Sequence, residues 1–155
     1  MNIQQSRDDV QNRALEPGGQ GAAMVKILVV DDDSDLCQSM RSSLEGLLGH
    51  TVFVANDAET ALELQRRCQA DVVVTDIFMP GCDGLEFIQA LRREHEGLKV
   101  IAMSGMPQRT HGGGRAAYQL VAARALGASA TIAKPFDLHT LAAAIDSVVG
   151  NRANA

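Results

Sequence analysis

Four apolar runs in this sequence each end in a polar residue of a kind that handles metal ions or phosphate. Asp31 and Asp32 follow the first run, Asp76 the second, Ser104 the third and Lys134 the fourth. Several carboxylates in one pocket repel one another unless a cation neutralises them, which predicts a bound divalent ion. Mg²⁺ fits best, because it takes carboxylate and carbonyl oxygens and is usually shared with a phosphate group.

Each of these residues also has an ordinary structural interpretation. Asp76 alone could simply end its strand and cap the turn that follows. Ser104 alone could be a strand-end hydroxyl, and Lys134 alone a solvated surface lysine. Their occurrence at successive strand ends is what favours a shared chemical role.

The elements that must position these residues follow from the alternation of short apolar runs with helical patterns. Five strands alternating with five helices predict an α/β fold, with a doubly wound five-stranded parallel sheet covered on both faces. The expected strand order is the flavodoxin-like 2-1-3-4-5. In such a sheet a ligand site forms outside the carboxyl ends of strands one and three, where Asp31, Asp32 and Asp76 lie.

The helices are located by their capping residues and by their apolar spacing. Ser34 is expected to cap the first helix, Asn56-Asp57 the second and Asp137 the fifth, and the fourth should cover residues 115–126. The inward-facing stripes are expected to be Leu36, Met40, Leu44 and Leu47 in the first helix, Leu85, Ile88 and Leu91 in the third, and Leu138, Leu141, Ile145 and Val148 in the fifth.

Residues 76–84 read Asp-x-x-Met-Pro-x-x-Asp-Gly and resemble the phosphoacceptor segment of two-component response-regulator receiver domains. The acidic pair after the first strand, the Ser104 hydroxyl and the lysine-proline pair beginning at Lys134 match the other site positions of that family, in the same order. The resemblance covers roughly residues 25–149. It implies a receiver domain at 25–150.

Tails are expected on both sides of that domain. Residues 1–24 are polar and Gly-rich with little periodicity, which predicts a disordered N-terminal tail. Residues 151–155 are expected to form a frayed C-terminal tail.

The resemblance also implies a role for each site residue. The residues that would carry out phosphoryl transfer are Asp76 as acceptor, Ser104 and Lys134. The Mg²⁺ ligands would be Asp31, Asp32, Asp76 and the backbone carbonyl of Phe78, while Asp33 would face away at the helix start. A receiver of this kind is not an enzyme in the ordinary sense, since it phosphorylates itself from a donor and slowly loses the group again.

The partners implied by the resemblance are a histidine kinase or histidine phosphotransfer protein as donor and an unidentified output protein. A homodimer formed on phosphorylation is a further option. The net charge of −5 argues against direct nucleic-acid binding, and the longest apolar runs fall short of a membrane span. Three cysteines without metal or redox spacing fit reduced thiols and a cytoplasmic location. The isolated histidines are expected at the surface: His50, His95, His111 and His139.

Two other functions compete with this one. Asp31 to Asp33 contain Asp-x-Asp, which is similar to the nucleophile motif of haloacid-dehalogenase-type phosphatases, with Asp31 as nucleophile and Mg²⁺ as cofactor. That family needs another acidic motif on a strand after the lysine, whereas Asp137 and Asp146 are predicted in a helix. A degenerate receiver serving only as a scaffold is disfavoured because every site residue is present.

The sequence departs from the family pattern in its readout. Thr131 stands where the family usually places an aromatic switch residue. Residues 107–114 form a longer Gly-rich loop, and this loop or Tyr118 could carry the signal instead. Phe78 and Met106 match the positions that border the path of the hydrolytic water, and neither can orient a water strongly.

Overall fold

The structure is a computed structural model and describes residues 24–105 and 114–150. Its elements are β1 (Lys26–Val30), α1 (Ser34–Gly46), β2 (Thr51–Ala55), α2 (Ala58–Cys68), β3 (Val72–Asp76), β4 (Phe78–Met79), β5 (Cys82–Asp83), α3 (Gly84–Glu94), β6 (Lys99–Gly105), α4 (Gly114–Ala125), β7 (Ala130–Lys134) and α5 (Leu138–Gly150). The predicted tails at 1–24 and 151–155 lie outside the described residues, apart from Met24. The predicted loop at 107–114 also lies outside them, apart from Gly114.

Five strands form one sheet in the order β2-β1-β3-β6-β7, and every neighbouring pair is parallel. Counted along the chain as five long strands, this is the order 2-1-3-4-5, so the predicted α/β fold and its five helices are confirmed. The sequence did not predict the short antiparallel pair of β4 and β5, which follows β3 directly. This hairpin leads the chain from the end of β3 into α3.

The core lies on both faces of the sheet because side chains of a strand alternate between its faces. In β1, Leu28 and Val30 pack with residues of α2, α3 and α4, whereas Ile27 and Val29 pack with residues of α1 and α5. The near-continuous apolar composition of the strands follows from this double burial. Among the described helices, none has the length and apolar character needed to cross a bilayer.

The parallel arrangement places the carboxyl ends of the strands and the amino ends of the helices at one edge of the sheet. There Asp33, with extended backbone, caps α1 by accepting a hydrogen bond from the Leu36 N–H at 3.0 Å. The prediction that Ser34 caps this helix was wrong by one residue, because Ser34 is already helical. Asp33 points toward its own helix, as expected.

Two expectations about burial were wrong. Leu47 is 74% exposed because α1 ends at Gly46, and Cys37 is buried on the inner face of α1 with Met40 and Leu44. His50 is only 7% exposed, and its backbone N–H donates to the Leu44 carbonyl at 3.1 Å where the chain passes from α1 to β2. His139 is exposed and His95 is partly buried, while His111 lies outside the described residues.

Gly84 is required where α3 begins against the end of β3. A Cβ atom there would overlap the backbone carbonyl oxygen of Ile77 and lie 2.6 Å from its Cα. We expect Gly84→Ala to lower the free energy of unfolding by about 3 kcal/mol, since neither backbone segment can move away easily. Urea denaturation followed by circular dichroism would measure it.

The matched control is Gly46→Ala at the end of α1, because outside its chain neighbours and the backbone of its own helix no described atom lies within 4 Å of the position that an alanine Cβ would take there. That variant should be neutral or more stable by up to about 1 kcal/mol. Equal stability changes in the two variants would contradict the steric explanation.

Candidate functional site

Asp31 lies directly after β1, is buried, and has both carboxylate oxygens hydrogen-bonded. Its Oδ1 accepts from the Asp33 N–H at 3.0 Å, and its Oδ2 accepts from Lys134 Nζ at 2.5 Å. Its own N–H bonds the Ala55 carbonyl across the β1–β2 pair at 3.2 Å. The carboxylate is therefore held in one place at the sheet edge.

Asp76 ends β3, the central strand of the sheet, and is 6% exposed. Its Oδ1 accepts from the Phe78 N–H at 3.1 Å, and its Oδ2 lies 3.3 Å from Lys134 Nζ. Burial raises the pKa of Asp76, and the Phe78 N–H and the charge of Lys134 offset this effect only in part. Asp76 is thus a carboxylate held in a setting that disfavours its charge.

Lys134 ends β7 and bridges the two buried carboxylates. Burial alone would lower the pKa of Lys134, but the hydrogen bond to Asp31 and the charge of Asp76 raise it overall. The ammonium group therefore stays charged at neutral pH. Lys134 is thus not the solvated surface lysine of the ordinary structural interpretation, because it bonds Asp31 and Asp76.

Asp32 completes a group of three carboxylates with Asp31 and Asp76. Each of the three offers an oxygen atom, and these atoms all lie within 4.8 Å of one another. Three ionised carboxylates opposed by the single charge of Lys134 leave two negative charges (3 − 1). Oxygen donors with that residual charge fit a hard divalent cation such as Mg²⁺.

Phe78 lies where a fourth ligand is predicted, two residues after Asp76. Its N–H is bonded to Asp76, and its side chain is partly exposed. It lines a cavity of about 500 Å³ together with Asp32, Asp83 and Gln119. The role of the Phe78 carbonyl as a ligand stays a prediction.

Ser104 is near the end of β6, next to β3, where Asp76 pairs with Met103. The residue is 2% exposed, and within the described part of the chain its hydroxyl has no hydrogen-bond partner. A buried polar group without a partner is uncommon and calls for an explanation. A ligand oxygen at this sheet edge would provide the missing partner.

Sequence reasoning missed two residues whose side chains bond the backbone carbonyl of Asp31. The Asn56 amide donates to the Asp31 carbonyl oxygen at 2.9 Å, and the Cys37 thiol approaches the same oxygen at 3.4 Å. Burial raises the pKa of Cys37 to about 11, so the thiol keeps the proton it donates. Asn56 was interpreted as part of a helix cap, although its place at the end of β2 puts it at the same sheet edge.

The chain is similar in sequence to known response regulators. A family model described as the response regulator receiver domain matches residues 27–146. The response regulator MprA of Mycobacterium leprae (strain TN) is 34% identical over 125 residues, covering 81% of this chain and 51% of that protein. The response regulator MprA of Mycobacterium ulcerans (strain Agy99) is 35% identical over 119 residues, covering 77% and 47%. The chain spans about half the length of the curated relatives it matches.

Solved structures show the same fold. A response regulator receiver domain protein from Clostridium thermocellum has a TM-score of 0.72 at 26% identity, covering 83% of this chain and 97% of that one. The chemotaxis response regulator CheY4 of Vibrio cholerae has a TM-score of 0.69 at 26% identity, covering 81% and 98%. Sequence and structure comparisons therefore point to one family.

The raised pKa of Asp76 has a consequence for stability. When a carboxyl group has a higher pKa in the folded than in the unfolded state, the protein loses stability as the pH rises from the unfolded-state pKa through the folded-state pKa. At neutral pH the ionised Asp76 therefore destabilises the metal-free fold. We expect Asp76→Asn to have a higher melting temperature than the parent in EDTA at pH 7. Each 1 kcal/mol added to the free energy of unfolding should raise it by about 3 °C.

The gain should shrink on acidification and vanish below the ordinary carboxyl pKa of 3.8, where the parent is also protonated. Asp146→Asn, an exposed carboxyl in α5, serves as the control and should change little. Calorimetry across this pH range would test it. An Asp76→Asn variant that melts at or below the parent at pH 7 would refute the explanation.

Proposed function

This chain belongs to the response regulator receiver domain family, and from that membership and its site geometry we propose that it is a Mg²⁺-dependent phosphoryl acceptor in two-component signalling. Asp76 takes the phosphoryl group from a histidine kinase or histidine phosphotransfer protein. The output passes through protein contacts to a partner that the sequence does not identify. The protein acts in the cytoplasm and is not a turnover enzyme.

The observation that carries this proposal is the pairing of Asp76 with Lys134 beside a buried hydroxyl without a partner. Lys134 Nζ lies 3.3 Å from Asp76 Oδ2, and the Ser104 hydroxyl is free on the neighbouring strand of the described structure. Phosphoryl transfer needs positioning and charge neutralisation more than covalent help from the protein. These three side chains provide a nucleophile, a cation and a hydrogen-bond donor.

In the proposed reaction a carboxylate oxygen of Asp76 forms a bond to phosphorus as the bond between phosphorus and the donor breaks. Lys134 moves its hydrogen bonds from carboxylate to phosphoryl oxygens, and Ser104 donates its hydroxyl to another of them. When bound by Asp31, Asp32, Asp76 and the Phe78 carbonyl, Mg²⁺ would supply two further positive charges to the phosphoryl oxygens. The phosphoryl group carries about 1.5–2 negative charges, which replace the single charge of the Asp76 carboxylate, and this larger charge at the sheet edge drives the rearrangement.

The readout differs from the usual family arrangement. Thr131 in β7 replaces the aromatic residue, so a hydroxyl and a methyl group occupy that position. Tyr118 is exposed on α4 and is the available aromatic side chain on that helix. We assign the output to contacts involving α4, either with the output protein or with a second copy of the phosphorylated chain.

A phosphatase of the haloacid-dehalogenase type is not favoured. The acidic residue it needs after the lysine is not on a strand, because Asp137 accepts from the Thr140 N–H at the start of α5. The family match covers the Asp76 segment, which that alternative leaves unexplained.

Asp76 should be the sole acceptor, because it alone lies at the end of the central strand beside Lys134. Incubation with acetyl phosphate and Mg²⁺ should add one phosphoryl group, measured by intact-protein mass spectrometry. Asp76→Asn should take up none, while Asp57→Asn, altered at the α2 cap, should behave as the parent. Equal modification of the Asp76→Asn variant, or none in the parent, would defeat the proposal.

The phosphorylated form should be long-lived, because Phe78 and Met106 are apolar and bulky at positions that border the water path. Phe78 lies two residues after Asp76 and is 37% exposed, whereas Met106 lies outside the described residues. Phe78→Asn with Met106→Glu should speed dephosphorylation about tenfold, or about 1.4 kcal/mol of barrier.

The decay of the phosphorylated protein, followed after removal of the donor, measures this lifetime. Phe78→Leu, which stays apolar, should retain a rate close to that of the parent. Identical rates in the parent and the double variant, with Mg²⁺ binding intact, would show that these side chains do not set the lifetime.

A further inference from the structure

We propose that Asn56 and Cys37 are positioning residues that hold the peptide group between Asp31 and Asp32, and thereby set the geometry of the metal site. This inference deepens the proposed function and rests on it for the identity of the metal. It concerns the backbone of the acidic pair, because both side chains bond the carbonyl oxygen of Asp31 and not a carboxylate oxygen.

The contacts converge on one atom, the carbonyl oxygen of Asp31. Asn56 Nδ2 donates to it at 2.9 Å, and Cys37 Sγ lies 3.4 Å from it. Asn56 Nδ2 and Cys37 Sγ are themselves 3.8 Å apart, so the two donors approach from neighbouring directions. A carbonyl oxygen has two lone pairs, and here both have a partner.

The same peptide unit carries Asp32 on its other side. Because a peptide group is planar, fixing its carbonyl direction fixes how the Cα atoms of Asp31 and Asp32 are oriented to each other. Asp31 is additionally held through its N–H and both carboxylate oxygens. The bonds from Asn56 and Cys37 extend that support to Asp32, the exposed member of the three-carboxylate group.

Asn56 is not required as the cap of α2. Asp57 performs that role, since its Oδ1 accepts from the Thr60 N–H at 2.7 Å and its Oδ2 from the Thr60 hydroxyl at 2.8 Å. Asn56 itself is exposed, so shortening it leaves no hole in the core. Removing the Asn56 side chain should therefore change the stability of the fold little.

Residues that orient metal ligands typically change metal affinity by tenfold or more when they are removed. We expect Asn56→Ala to weaken Mg²⁺ binding about tenfold, with little change in melting temperature in EDTA. The control is Gln89→Ala, which removes an exposed amide from α3, far from the acidic pair in the chain. Calorimetric titration of the unphosphorylated protein with MgCl₂ measures the affinity without any phosphoryl transfer.

Cys37 provides a second, independent variant. Cys37→Ser keeps a donor and should retain Mg²⁺ affinity close to that of the parent, whereas Cys37→Ala loses the donor and should weaken it. One donor still restrains the carbonyl in each single variant, whereas Asn56→Ala with Cys37→Ala removes both, so the double variant should lose more affinity than the two single losses combined. The excess loss in the double variant measures the coupling between the two donors that share this carbonyl oxygen.

Unchanged Mg²⁺ affinity in folded Asn56→Ala, or additive losses in the double variant, would overturn the proposal. The proposal would also be overturned if the melting temperature in EDTA fell so far that partial unfolding of the variant explained its whole loss of affinity. That result would favour a purely structural role. If Asn56→Ala does not fold, Cys37→Ala compared with Cys37→Ser gives the same decision. Failure of acetyl phosphate to modify the parent would defeat the proposed function but leave these Mg²⁺ titrations decisive.

Discussion

Two buried carboxylates at the carboxyl ends of adjacent strands are the constraint on which the rest of this site depends. The β1–β3 register pairs Val30 with Thr75, so Asp31 and Asp76 follow on neighbouring strands. Their mutual repulsion in a partly desolvated setting requires a cation, and Lys134 provides one from β7. Three carboxylates and one lysine leave two negative charges unbalanced, so the site can take up a further cation, as the proposed phosphoryl transfer would require.

The same sheet edge holds more carboxylates than the site uses. Asp33, Asp57, Asp83 and Asp137 each accept a hydrogen bond from a backbone N–H in the first turn of the helix that follows. Those amides lower the pKa of Asp57 and Asp137 and hold their charges at helix amino ends, where negative charge is favourable. The fold thus separates carboxylates that cap helices from the three that face the site.

The connection after β3 is short and tightly packed because of the position of Asp76. Asp76 must present its carboxylate at the sheet edge while the chain returns at once to cover the face with α3. The β4–β5 hairpin makes that return, and the missing Cβ of Gly84 lets α3 begin directly against Ile77. The Phe78 N–H, in the first strand of the hairpin, then bonds the Asp76 carboxylate.

The sequence by itself determined the alternation of elements, the strand order and the placement of Asp31, Asp76 and Lys134 at one sheet edge, because strand ends in a parallel sheet share one edge and apolar runs mark the strands. It predicted local details less well, since Asp33 and Ser34 are both good caps and only backbone conformation selects one. Only the tertiary structure decided how Lys134 divides between Asp31 and Asp76, how Asn56 reaches Asp31, and that His50 is buried. Those contacts join segments 25 to 103 residues apart, and their geometry depends on how helices and strands pack, which local sequence patterns do not encode.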